Sequence, residues 1–183
     1  VFTAHGVTAD PKKIKAIIEA GRPENIEDVR SLLQACQYNA KFIFDSDETS
    51  ESYEEVTQPL RELLRKDAKF AWTADREEAY VKLMKIMSSP ATLRPFDKLL
   101  PAIHVADASA VGICGSIYQI QENGVWVPVD HASRTLQDNE KNYDPIDRES
   151  LAQSWSMEQF RYYLLGSHFV SYTDHEPLLP TYN

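Results

Sequence analysis

Apolar residues recur at three- and four-residue spacing through the first half of the chain, which predicts helices there. A short β-like run over residues 1–7 comes first. Asp10-Pro11 then reads as an N-cap followed by proline at the first helical position; Ile14, Ile17 and Ile18 continue at helical spacing until Gly21 and Pro23 end the element. A second helix starts from an Asn25 cap. Glu27 and Asp28 sit in its first turn, and Val29, Leu32, Leu33 and Cys36 form its apolar stripe. Residues 44–57 crowd Asp45, Asp47, Glu48, Glu51, Glu54 and Glu55 among serines and threonines, which predicts a mobile acidic loop; it lacks the glycine that a calcium-binding loop needs. Beyond Pro59, Leu60, Leu63 and Leu64 predict a short helix ending at Arg65-Lys66. A further helix, capped by Thr73, carries Tyr80, Leu83, Met84 and Met87 until Ser88-Ser89-Pro90 stops it.

From about Leu93 the pattern changes to short β-prone runs. Strands are predicted at 103–107, 112–120 and 125–132, with Glu122-Asn123-Gly124 as a hairpin turn in which Asn-Gly tolerates positive φ. A helix follows over 146–164, with Leu151, Ala152, Trp155, Tyr162 and Tyr163 at core-like spacing, and then a fourth strand over 168–174. Three strands, a helix and a strand predict an α/β fold: a mixed sheet whose last strand is reached by a helical crossover. A boundary is therefore expected between a mainly helical region, 1–92, and an α/β region, 93–183.

Composition narrows the function classes. With 43% hydrophobic and 26% charged residues the chain reads as an ordinary globular protein. No apolar run approaches the ~18 residues of a membrane span, so no membrane association is expected and the location reads as intracellular, cytoplasmic or nuclear. The start at Val1 lacks both a signal pattern and an initiator Met, which suggests a piece of a longer polypeptide. Cys36 and Cys114 lie in apolar stretches and read as buried thiols, and the 5 histidines form no ligand pattern. The net charge of -9 is concentrated late: residues 1–98 hold 15 Lys/Arg against 17 Asp/Glu, and residues 99–183 hold 4 against 11. That balance disfavours a generic nucleic-acid binder and suits carboxylates that collect divalent cations, although most such acids form a solvated face.

Three acids occupy comparable places. Asp107 ends the first strand of the second region, Glu149 lies in the first turn of its helix, and Asp174 ends its fourth strand. If the first and fourth strands are parallel neighbours, all three converge at the carboxyl end of the sheet, where α/β proteins commonly place their sites. Like charges brought so close repel, and divalent cations would neutralise them. Taken singly, Asp107 reads more simply as a turn residue.

Val105-Ala-Asp-Ala-Ser109 with Gly112, His131-Ala-Ser-Arg-Thr-Leu136, Glu140-Lys-Asn-Tyr143, Arg148-Glu-Ser-Leu-Ala152, Phe160-Arg-Tyr-Tyr-Leu-Leu-Gly166 and Tyr172-Thr-Asp-His-Glu-Pro-Leu178 occur in this order. Together they resemble the ribonuclease H domain of gypsy-type LTR-retrotransposon Pol polyproteins. Upstream, Asp28-Val-Arg-Ser-Leu-Leu33, Pro59-Leu-Arg-Glu-Leu-Leu-Arg-Lys-Asp67 and Phe70-Ala-Trp-Thr73 are similar to the thumb and connection regions of the same reverse transcriptases. The resemblance implies a ribonuclease H-like mixed sheet over 93–183, preceded by a small, mainly helical reverse transcriptase thumb/connection subdomain over 1–92. It implies Asp107, Glu149 and Asp174 as metal-binding catalytic acids, with Asp107 bridging two Mg²⁺ or Mn²⁺ ions for hydrolysis of the RNA strand of an RNA–DNA hybrid. Ser133, Arg134 and Tyr143 also match family positions, with loop anchoring open to Arg134 and packing to Tyr143.

Departures from the family pattern bear on activity. The Tyr-x-Asp-Asp motif of the polymerase palm is absent, so palm and fingers are expected on other Pol segments. The later strands, the final helix and a fourth site residue are expected past Asn183. The alternative from a different class is a non-catalytic connection or scaffold module, or an inactive domesticated remnant of Pol.

Overall fold

The computed structural model describes residues 1–4, 6–42, 52–90 and 92–173. By contacts the chain divides into two compact units, one of Val1–Ala4 with Thr8–Thr92, the other of His5–Val7 with Leu93–Asn183. No helix among the described residues is long and apolar enough to cross a membrane.

The first unit begins with a two-residue strand, β1 (Phe2–Thr3), followed by helix α1 (Pro11–Glu19). Asp10 caps α1 by accepting from Lys12 N, with Pro11 at the first helical position. Helix α2 (Ile26–Asn39) starts from Asn25, whose side chain accepts from Asp28 N, and buries Val29, Leu32, Leu33 and Cys36 along the expected stripe. Burial pushes the Cys36 thiol up to about 12. Cys36 and the half-buried Cys114 are not joined in a disulfide.

The acidic-loop expectation over 44–57 is overturned at its C-terminal end, where α3 (Tyr53–Arg61) is helical and buries Tyr53, Glu54, Val56, Thr57 and Leu60. Residues 44–51 of that expectation lie outside the described residues. Ser52 and Glu55 form a reciprocal capping box, so the acid at the third position binds back to the cap. The helix also runs through Pro59 instead of starting after it. Arg76 Nε donates to Pro59 O at 3.2 Å, and Tyr53 OH donates to Leu33 O at 3.0 Å, tying α3 to its neighbours. Leu63, in the 3₁₀ turn that follows, and Leu83 and Met87 of α4 (Ala74–Met87) complete this core.

In the second unit, strand β2 (Gly6–Val7) is followed much later in the chain by β3 (Ala102–Ala108), β4 (Gly112–Ile120) and β5 (Trp126–Thr135). Helices α5 (Pro145–Gln159) and α6 (Arg161–Leu164) then lead to β6 (Phe169–Tyr172). The four-stranded sheet has the order β5-β4-β3-β6, with β3 antiparallel to β4 and parallel to β6. This is the mixed sheet with a helical crossover that the order of elements predicts.

The hairpin turn expected at Glu122-Asn123-Gly124 is present between β4 and β5; Gly124 has φ +78, whereas Asn123 has no positive φ and accepts from Val125 N through its side chain. Two local expectations need correction. The long helix over 146–164 is broken at Phe160, where φ -96 and ψ 13 leave the helical region. Phe160 is 2% exposed and packs with Ile117, Val129 and Leu164, so core packing takes precedence over helix continuity. Tyr162, expected in the core, is consequently 83% exposed.

Helix α5 packs on β3 and β4. Gly115 permits this approach: a Cβ added there would lie 2.3 Å from Ser156 Cβ. Ala106, Ile113, Leu136 and Ala152 form the core beneath α5, with Leu151 and Trp155 at its margin.

Candidate active site

Asp107 is the sixth residue of β3, one of the two strands with partners on both sides in the sheet, and it is exposed. Its Oδ1 accepts from Ala108 N at 2.8 Å, and it faces Cys114 across the β3–β4 pair. The turn after β3 is closed by Ser109, whose Oγ accepts from Val111 N and Gly112 N at 3.2 and 3.1 Å. Pro145 opens α5 after Asp144, which is extended at the cap position. Glu149 is therefore the fifth helical residue, in the second turn, and its Oε2 is buried.

One contact joins these two places. Arg148 Nη1 donates to Ser109 O at 3.1 Å, fastening the N-terminal part of α5 to the turn at the carboxyl end of β3. Asp107 and Glu149 thus flank the two residues of a direct hydrogen bond. Asp174 lies outside the described residues. The parallel register of β3 and β6 runs from Ala102 opposite Phe169 to Val105 opposite Tyr172. Asp107 follows Val105 in sequence by as many residues as Asp174 follows Tyr172. Among the described residues no group of three His, Cys, Asp or Glu side chains is placed to hold a metal ion.

Arg134 anchors a loop. It grips Glu140 with two hydrogen bonds, Nη1 to Oε2 at 2.6 Å and Nη2 to Oε1 at 2.8 Å, and its guanidinium lies 5.5 Å from the Trp155 ring centre. Those bonds hold the Glu140 carboxyl below the usual range, against the opposing effect of burial, and Gln137 N adds a further bond at 2.7 Å. Tyr143 is 40% exposed.

A buried polar group escaped the sequence patterns. His104, fully buried on β3, places Nδ1 at 2.8 Å from Ser171 Oγ and Nε2 at 2.7 Å from Ser156 Oγ. Ser171 Oγ lies 2.8 Å from Gln153 Oε1, and Gln153 Nε2 donates to Tyr172 O at 3.2 Å. Burial lowers the His104 pKa to about 4. The signal available in sequence was a histidine at an inward position of a β-run, which fits a satisfied core residue as readily as anything else.

A family model for the RNase H-like domain found in reverse transcriptase matches residues 72–171. The Pol polyprotein of transposon opus from Drosophila melanogaster is 30% identical over 97% of this chain, and that of transposon 297 from the same organism is 31% identical over 97%. The Tf2-3 polyprotein of Schizosaccharomyces pombe is 30% identical over 95%. The chain spans only 18%, 16% and 13% of these three proteins. Among solved structures, a foamy viral protease-reverse transcriptase in complex with RNA/DNA hybrid superposes over 99% of this chain and 24% of its own, with a TM-score of 0.71 at 17% identity. Another, in complex with double-stranded DNA, covers 100% of this chain and 32% of its own with a TM-score of 0.72 at 16% identity. These likenesses extend to the fold. By family match and relatives together, the chain belongs to the RNase H-like domains of reverse transcriptases, in the form carried by retrotransposon Pol polyproteins.

Proposed function

We propose that this chain supplies the ribonuclease H portion of a retroelement reverse transcriptase, with Asp107, Glu149 and Asp174 binding two divalent ions, Mg²⁺ or Mn²⁺, to hydrolyse RNA in an RNA–DNA hybrid. The observation that carries this reading is the Arg148–Ser109 hydrogen bond, which holds the start of α5 against the end of β3. Continuing the β3–β6 register by two residues would bring Asp174 beside Asp107. The donor set suits the ions, because carboxylate oxygens are hard ligands of the kind Mg²⁺ and Mn²⁺ prefer. Glu149 Oε2 is buried on the helix that packs against the strand carrying Asp107.

The chain's own residues divide the work. Asp107 presents its carboxylate from an interior strand and Glu149 from a helix packed on that strand, and Asp174, which follows β6 in sequence, would complete the set. Placement on such elements limits movement of the ligands during reaction. When bound, the ions would lower the pKa of an attacking water and stabilise the leaving oxygen. The hybrid would be held by its shape and 2′-hydroxyl groups, with contacts from other Pol segments, palm and fingers included. In the same reading residues 1–92 form the thumb/connection region and 93–183 the ribonuclease H-like domain, and the enzyme works where Pol meets its template, in the cytoplasm or nucleus.

The test is metal-dependent cleavage of a labelled RNA–DNA hybrid by a longer chain extended past Asn183. Cleavage is expected to fall to background in Asp107→Asn while the fold is retained. Absence of cleavage by the extended unmutated chain, with hybrid binding kept, would establish the scaffold module instead.

A further inference from the structure

The hydrogen bonds around His104 do not balance for a neutral imidazole. Ser156 Oγ lies 2.6 Å from Ala152 O and 2.7 Å from His104 Nε2; Ser171 Oγ lies 2.8 Å from both Gln153 Oε1 and His104 Nδ1. Each hydroxyl has one proton and a neutral imidazole has one N–H. Satisfying every contact would take one proton more than these groups hold.

The geometry selects which contact yields. Ala152 O already accepts within the hydrogen-bond ladder of α5, so Ser156 can turn its proton to His104 Nε2 and orphan nothing. Gln153 Oε1 depends on Ser171 for its proton. Turning the Gln153 amide over would set its oxygen against Tyr172 O, which is 3.2 Å from Nε2. The ring must then carry its proton on Nδ1, and donation runs from Nδ1 to Ser171, from Ser171 to Gln153, and from Gln153 to Tyr172 O.

This chain of bonds ties β6 to the helix side of the sheet: Ser171 meets His104 and Gln153, while Phe169, on the same face of this four-residue strand, is 37% exposed. We propose that His104, as the Nδ1–H tautomer, is a positioning residue that locks β6 against β3 and α5 through Ser171 and Gln153, and so steadies the strand that leads towards the proposed metal site. That last step rests on the proposed function; the tautomer and the locking of β6 do not.

The test has two arms. On the chain itself, ¹⁵N NMR of His104 at neutral pH is expected to show a protonated Nδ1, and β6 amides are expected to exchange faster in Ser171→Ala. A protonated Nε2, or unchanged exchange, overturns the network. On the extended chain, His104→Leu and Ser171→Ala are expected to raise the Mg²⁺ concentration for half-maximal hybrid cleavage about 10-fold, with KM for hybrid unchanged, as loss of outer-shell support does. A purely structural role would lower the folded fraction and leave that midpoint in place, which overturns the proposal. Should His104→Leu fail to fold, Ser171→Ala carries the measurement. His104→Asn, whose amide can donate from the Nδ1 side, is expected to recover the midpoint; recovery by His104→Gln alone overturns the assignment. No cleavage by the unmutated extended chain overturns the catalytic reading and the positioning role with it, while the NMR arm reports on the network by itself.

Discussion

At the scale of single residues, two buried histidines make the second unit sensitive to acid. Burial lowers His104 and His131 from 6.5 to about 4, and His131 Nε2 is buried without a hydrogen-bond partner. Above pH 6.5 both folded and unfolded states hold these rings neutral, and stability is independent of them. As pH falls from 6.5 towards 4 the unfolded chain takes up protons that the folded chain refuses, so stability falls, by roughly 3 kcal/mol per ring. Denaturant midpoints measured between pH 7 and 4 should decline, and His131→Asn should flatten part of the decline. The same sign governs Glu140, whose lowered pKa contributes stability above the ordinary carboxylate range that is lost as pH drops through the folded value. Arg134→Met removes both bonds to that buried carboxylate and is expected to cost about 2 kcal/mol in equilibrium unfolding. Gly115→Ala tests packing alone. Its Cβ would meet Ser156 Cβ at 2.3 Å, so a loss of about 1–3 kcal/mol is expected, with α5 displaced from the sheet.

At the scale of elements, caps and periodicity were legible wherever the physics is local. Asp10-Pro11 and Asn25 start α1 and α2 as read, and β4 spans the predicted residues 112–120, because a cap or an alternation needs only neighbours in sequence. The Ser52–Glu55 capping box is local too, yet it lay hidden among acids that read as a solvated run. Ser52→Ala is expected to destabilise α3 by about 1 kcal/mol, seen as reduced helicity and a lower unfolding midpoint. The break at Phe160 was not legible. It depends on Ile117 and Val129, residues from strands far away in sequence, offering a better place for the ring than a continued helix does.

At the scale of the whole molecule, charge shapes how nucleic acid can be met. The chain holds 19 Lys/Arg against 28 Asp/Glu, and residues 99–183, with 4 Lys/Arg, offer few cations to exchange for phosphate counterions. Its binding to RNA–DNA hybrid should therefore show a shallow salt dependence, and a slope of log K against log salt steeper than about -5 would reveal a basic surface that the total conceals. Of the three candidate acids, the sequence located Asp107 near the end of β3 and Glu149 towards the start of α5, since strand ends and helix starts are places where sequence locates a side chain without tertiary information, and Asp174 lies outside the described residues. Two of those places are fastened together by Arg148 and Ser109, a contact between residues whose pairing nothing local announces.

The sequence by itself determined the order of elements, most caps, the candidate acids and the family, because periodicity and motif order are properties of neighbours along the chain. Only the tertiary structure decided the strand order β5-β4-β3-β6, the break at Phe160 and the His104–Ser171–Gln153 network. Each of these depends on groups distant in sequence competing for the same buried space or the same proton, and that competition exists only once the chain has folded.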